Sequence, residues 1–192
     1  MYKRQDYVLS GEIAFRIMTN EYNYGIKFLP SALNKIYRKT FLTDNLLTFP
    51  EHIFFEDQPF SYSCTLAANR VVCVPQVVYH HYKRSGSIVQ SFNQKNIDDM
   101  MTAYKMIKEY LQKNNIYKKF RFNYYSSLQH FYNLIVRQIF EFVPDEKSKK
   151  EYLKYSFIRL KEVIDIDEYI DFLSSEELRK HIQPNITDTT IY

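Results

Sequence analysis

The chain has 192 residues, 45% of them apolar and 25% charged, and a net charge of +4. This is globular composition, with enough apolar material for a core and too little positive charge for a strongly basic nucleic-acid binder. Only three glycines stand beside 18 tyrosines and 15 phenylalanines, which argues against a complete glycine-rich nucleotide-binding half.

Taken in order, Met1–Asp6 is polar with no apolar stretch behind it, so no signal peptide is expected, and no run approaches the ~20 apolar residues of a membrane span. Residues 8–19 predict a short helix with Ser10 as N-cap and Ile13, Ile17 and Met18 on one face. A polar, Tyr-rich loop follows over 20–27. In Phe28–Tyr37, Pro30 discourages a continuous helix. Asn34-Lys35-Ile36-Tyr37-Arg38-Lys39 is a basic cluster, either a solvated face or a lining for an anionic substrate. Cys64 and Cys73 have neither metal nor disulfide-framework spacing and read as reduced core residues of a cytosolic protein.

The most informative stretch is Phe54-Phe55-Glu56-Asp57-Gln58-Pro59-Phe60. It reads as an extended apolar run ending at Phe55, then a helix to about Asn69. Asp57 would be its N-cap, and Pro59 suits the first turn. Arg70–Val74 and Val77–Tyr82 predict two short strands, and Lys83–Ile88 a basic turn around Gly86. From Asn93 the period becomes helical. Ile97, Met100, Met101, Tyr104, Ile107 and Leu111 form one stripe, Tyr124 to Phe142 a second, and Leu153 to Ile164 a third. The breaks fall at Asn114-Asn115 and Pro144-Asp145. Two shorter helices are expected near 167–173 and 175–181. The predicted organisation is an α/β segment with few strands over 1–92 and a helical segment over 93–192.

Four clusters occur in a fixed order: Asn34-Lys35-Ile36-Tyr37-Arg38, Phe49-Pro50-Glu51, Phe55-Glu56-Asp57 and Arg84-Ser85-Gly86-Ser87-Ile88. Together residues 33–88 resemble the second half of the catalytic domain of family 2 glycosyltransferases, bacterial enzymes that build surface polysaccharides on a GT-A fold. Leu33 stands where that family usually has tryptophan, and Tyr82 where it often has arginine. The resemblance implies a partial GT-A-like domain and transfer from a nucleotide-sugar donor to a saccharide acceptor. Asp57 would be the general base, with Glu56 the lesser candidate, because an acceptor hydroxyl must lose its proton as it attacks. Arg84 and Ser87 would contact the diphosphate, supported by Lys35 and Arg38. A divalent cation, Mn or Mg, is expected in the complete enzyme, with His81 a weak candidate ligand.

No βαβ donor segment closing on Asp-x-Asp precedes residue 33. Asp165-Ile166-Asp167 spells that pattern within the helical region, where a metal role is not expected. The implied partners are therefore the two sugars and a donor-half chain or a second copy. A non-catalytic interaction module is the alternative, with Lys147, Lys149, Lys150, Lys154, Arg159 and Lys161 facing an anionic membrane at its inner surface. No nucleic-acid partner is expected.

Overall fold

The computed structural model describes residues 7–21, 28–74, 80 and 92–179. Helices dominate these residues, and their sheet is a single antiparallel ribbon. Strand β1 (Tyr7–Leu9) pairs with β2 (Val71–Cys73), Tyr7 opposite Cys73 and Leu9 opposite Val71. The α/β expectation is met by this ribbon only. The predicted strand at 77–82 falls outside the described residues, except for His80.

Helix α1 (Gly11–Met18) begins where Ser10 Oγ accepts the Ile13 N–H (3.2 Å), the predicted cap. The first turn expected from residue 8 is strand instead, because Val8 and Leu9 pair with β2. Gly11 is required by packing. A Cβ there would lie 2.2 Å from the Thr65 carbonyl oxygen and 2.3 Å from that of Ala68, at the end of α3 (Asp57–Ala67). Between them, Phe28–Arg38 carries only a 3-10 turn at Ala32–Asn34, followed by the short helix α2 (Lys39–Asp44).

The second part is a helical assembly: α4 (Gln94–Lys113), α5 (Tyr117–Phe142), α6 (Glu146–Leu160) and α7 (Ile166–Arg179). The breaks fall where Asn114-Asn115 and Pro144-Asp145 predict them. Asn93 Oδ1 accepts the Lys95 N–H (2.9 Å) while Asn96 Oδ1 accepts the Asn93 N–H (2.9 Å), so two otherwise orphaned donors are satisfied at the start of α4. The two short helices expected after residue 166 are one helix. Asp165 caps it, its Oδ1 accepting the Glu168 N–H (3.1 Å). That bond also supplies the role of the Asp165-Ile166-Asp167 pattern: its first carboxylate starts a helix, and Asp167 is exposed in the first turn.

Residues from both parts share one core. Phe15 of α1 meets Tyr62 of α3 edge-on (5.4 Å between centroids) and Phe120 of α5 (5.2 Å). The buried Ser127 hydroxyl bonds the phenols of both Tyr62 and Tyr104, the latter at 2.6 Å. These tyrosines are therefore interior residues whose polar ends are met, as burial of a phenol requires. On the far side Glu168 accepts hydrogen bonds from Tyr117 (2.5 Å) and Tyr125 (3.0 Å), fastening α7 to α5. Among the described residues no helix is long and apolar enough to cross a membrane.

Candidate active site around Asp57

Asp57 is the first residue of α3, not its cap. Glu56 occupies the cap position in helical geometry, without a side-chain hydrogen bond, and points to solvent. The preceding residues 54–56 form a turn in place of the expected extended run, and Gln58 N–H bonds the Phe55 carbonyl (3.0 Å). His52 (φ 64°) and Phe55 (φ 63°) both lie in the left-handed region. For a residue as bulky as Phe this conformation is strained and persists only where the surroundings enforce it.

The enforcement comes from α4. Asp99, buried on that helix, accepts the Phe54 N–H at 2.7 Å. Lys95, one turn earlier, pairs with Asp99 (2.7 Å), donates to the His52 carbonyl (2.9 Å) and lies over the Phe54 ring (4.9 Å). The loop that aims Asp57 is thus clamped by the first turns of the helical part. Neither residue belongs to the sequence-predicted site. The available signal was Asp99 itself, a carboxylate in the buried row of Asn96, Met100 and Ala103.

On the other side, α3 presents Asp57, Ser61 and Cys64 at i, i+4 and i+7, one helical face, toward the 28–38 segment. Asp57 is half-buried. Burial raises its proton affinity above the ordinary carboxylate value, and the neighbouring Glu56 charge raises it further. Lys35 and the backbone N–H groups of Asp57 and Ala32 act in the opposite direction. Burial therefore outweighs the helix N-terminus in setting the proton affinity of Asp57. Gln58 is buried beside it, and its Oε1 has no hydrogen-bond partner among the described residues.

Lys35 also sits in this layer. Its ammonium donates to the carbonyls of Leu29 (2.5 Å) and Ser31 (2.6 Å) and to Asn34 Oδ1 (2.8 Å), over the Phe28 ring (4.7 Å). Burial pushes it down to about 8, opposed by the Asp57 charge. All three of its protons are spent on its own loop, so Lys35 shapes the segment facing Asp57. Burial also pushes Tyr37 and Cys64 up to about 12. Arg38 is exposed at the start of α2. Structure thus brings Asp57 and Lys35 together and leaves Glu56 and Arg38 facing solvent. Arg84, Ser87 and His81 lie outside the described residues.

An open groove of about 300 Å³ runs along α3, lined by Leu46, Pro50, Pro59, Phe60, Met106 and Tyr110 among others. Asp57 and Lys35 are not among its lining residues; Pro59 and Ser63 place it on the opposite side of the helix. Among the described residues no three His, Cys, Asp or Glu side chains come together as a metal-holding group. Among the described residues the groups around Asp57 do not make up a ligand set for a divalent cation.

The chain is 32% identical over 93 residues to "Putative glycosyltransferase EpsH" of Bacillus subtilis (strain 168). That match takes in 46% of this chain and 26% of the relative, so the chain spans well under half the length of the protein it resembles. No protein-family model and no solved structure matches it. What this supports is a relationship to glycosyltransferases.

Proposed function

We propose that this chain supplies the acceptor-side, base-carrying part of a family 2 glycosyltransferase of GT-A type, acting in surface-polysaccharide synthesis. The observation that carries the reading is Asp57: a half-buried carboxylate with raised proton affinity at the start of α3, in a chain similar to a glycosyltransferase. An acceptor hydroxyl attacks the anomeric carbon, the carbon–oxygen bond to the nucleoside diphosphate breaks, and the hydroxyl proton passes to Asp57. Raised proton affinity strengthens the carboxylate as a base for a poorly acidic hydroxyl. Glu56, exposed beside it, keeps the site negative without competing for the buried position. Arg84 and Ser87 are assigned to the departing diphosphate and Arg38 to an acceptor-side phosphate or hydroxyl. A divalent cation and the donor nucleotide belong to the complete site, and the chain alone is expected to be inactive until a donor-binding part is supplied.

The test is calorimetric titration with UDP and UDP-sugars, with and without manganese, followed by transfer assays of the chain supplied with a donor-binding part, beside the same assembly carrying Asp57→Asn. Loss of transfer by about 10²–10⁴-fold with nucleotide binding retained is the expected result for a general base. Undiminished transfer by Asp57→Asn overturns the assignment. Transfer by the purified chain alone overturns the need for a separate donor-binding part.

A further inference from the structure

The six basic residues of 147–161 divide in the structure. Lys149 pairs with Glu146 (2.7 Å), and Arg159 is drawn to Asp98 (3.0 Å) and to Glu162. Lys147, Lys150, Lys154 and Lys161 are exposed and make no ion pair with any described residue. At 3.6 residues per turn they fall on one side of α6 and its C-terminal cap. Phe157 (51% exposed) and Ile158 (49%) flank that row, and the Lys161 ammonium rests over the Phe157 ring at 4.8 Å. Nearby acids are engaged: Glu146 and Glu162 by the pairs above, Asp145 by the Ser148 N–H (2.8 Å). Glu151 is the one unpaired acid of the helix among the described residues.

The opposite side of α6 has its own partners. Ser156 and Leu160 are buried, Tyr155 bonds Asp98 (2.6 Å) and Tyr132 bonds Ser156 (3.2 Å). The lysine row and its two apolar residues are therefore surplus to what holds the helix in place.

We propose that this face of α6 docks the protein on an anionic lipid surface. The lysines lie over the headgroups, where each gains from the negative surface potential, and Phe157 and Ile158 enter the interfacial region as amphipathic surface helices do. Charge complementarity selects an anionic partner. The paired apolar side chains select a lipid interface over a nucleic acid or another soluble polyanion, which offers no apolar layer to enter.

The experiment is co-sedimentation of the full chain with vesicles of phosphatidylcholine alone and with about a third phosphatidylglycerol. Binding is expected only to the mixed vesicles, and it should fade toward 1 M salt, where the screening length is about 3 Å. Each exposed lysine removed should weaken binding about fivefold, so Lys150→Glu with Lys154→Glu should abolish sedimentation. Lys105→Glu with Lys113→Glu, an equal charge change on α4, should leave most of it. Phe157→Ser should weaken binding without altering its salt dependence, with circular dichroism confirming that each variant is folded. No sedimentation at low salt overturns the proposal. So does equal loss with the α4 pair, which would make the effect one of net charge. Unchanged binding by Phe157→Ser would make the face a general polyanion surface and overturn the lipid assignment.

Discussion

The segment around Asp57, residues 28–74, and the helical part, residues 92–179, solve the same folding problem differently. In the helical part long amphipathic helices bury their stripes, and side chains satisfy one another, as Tyr104 and Ser127 do between α4 and α5 and Tyr125 and Glu168 between α5 and α7. Around Asp57 the elements are short and much of the order comes from charged side chains gripping backbone: Lys35 on Leu29 and Ser31, Asp99 on Phe54, Lys95 on His52. Apolar residues there stay in solvent, Ile36 at 92% exposed and Leu46 at 86%.

Helix ends make the contrast specific. Helices α1, α2 and α4 all close with the same pair of backbone hydrogen bonds, for example Ile116 N–H to the Leu111 carbonyl and Asn115 N–H to that of Gln112. Each places the residue after its cap in the left-handed region. At α1 and α4 that residue is Asn (Asn20, φ 61°; Asn115, φ 58°), which tolerates it; at α2 it is Leu46 (φ 53°), which does not. Among the described residues, strain of this kind, repeated at Phe55, is confined to the approach to Asp57. The lesson is that the site is held in shape by the helices behind it rather than by its own local preferences.

If that is so, cutting into the helical core should unfold the whole molecule. Leu128→Ala, at a fully buried position of α5, is expected to cost roughly 2–5 kcal/mol, read as one cooperative transition in urea. Two separate transitions would show that the Asp57 segment stands on its own.

The clamp is the next largest effect. Asp99→Ala removes the acceptor of the Phe54 N–H and the partner of Lys95, and should cost about 1.5–3 kcal/mol as a hydrogen bond to a charged group. Faster amide exchange should be concentrated at residues 52–58, with the cores of α5 and α6 unchanged. Uniform loss of protection would make Asp99 an ordinary core residue.

Much of this architecture was legible in the sequence. The 3.6-residue stripes through Ile97, Tyr104, Leu128 and Ile139, the Ser10 cap and the Asn114-Asn115 break follow from local chemistry and appear as predicted. Asp57 was legible as a helix start one position off, since an Asp beside a Pro marks a helix beginning without saying which residue caps it. The turn at 54–56 was not legible. Phe54-Phe55 is what a strand looks like, and only Asp99 and Lys95, more than 40 residues later, hold it in another conformation. Lys35 read as a substrate contact because its carbonyl partners come from backbone, which composition does not reveal.

A smaller change should sharpen the comparison from the strained side. Leu46→Gly relieves the left-handed penalty at little cost in burial, since Leu46 is almost wholly exposed. Against it stands the greater chain entropy of glycine when unfolded. The net expectation is a gain of about 0.5–1 kcal/mol, seen as a higher urea midpoint. A loss would mean that Leu46 earns its place through the groove it lines.

The smallest effect concerns Asp57 itself, and its sign is fixed by the environment. Its carboxyl binds a proton more tightly in the folded state than at its ordinary value of 3.8, chiefly because it is buried. Unfolding therefore releases a proton, and stability falls as pH rises from that ordinary value through the raised folded one. At neutral pH the ionised carboxylate is a cost to the fold. Asp57→Asn keeps an oxygen for the Ala32 N–H and removes the charge, so it should be more stable than the parent at pH 7. The difference should vanish in acid, where both states of the parent are protonated. Lys35 works at the other end. Pushed down to about 8 from 10.5, it should let stability rise with pH only between those values, opposite in sign to Asp57. Urea midpoints of both proteins across pH 3 to 7 decide the matter. If Asp57→Asn is instead the less stable at pH 7, attraction to Lys35 and the N–H groups outweighs burial, and Asp57 is a structural carboxylate. A stabilised variant is what a residue kept for chemistry at the expense of the fold should give.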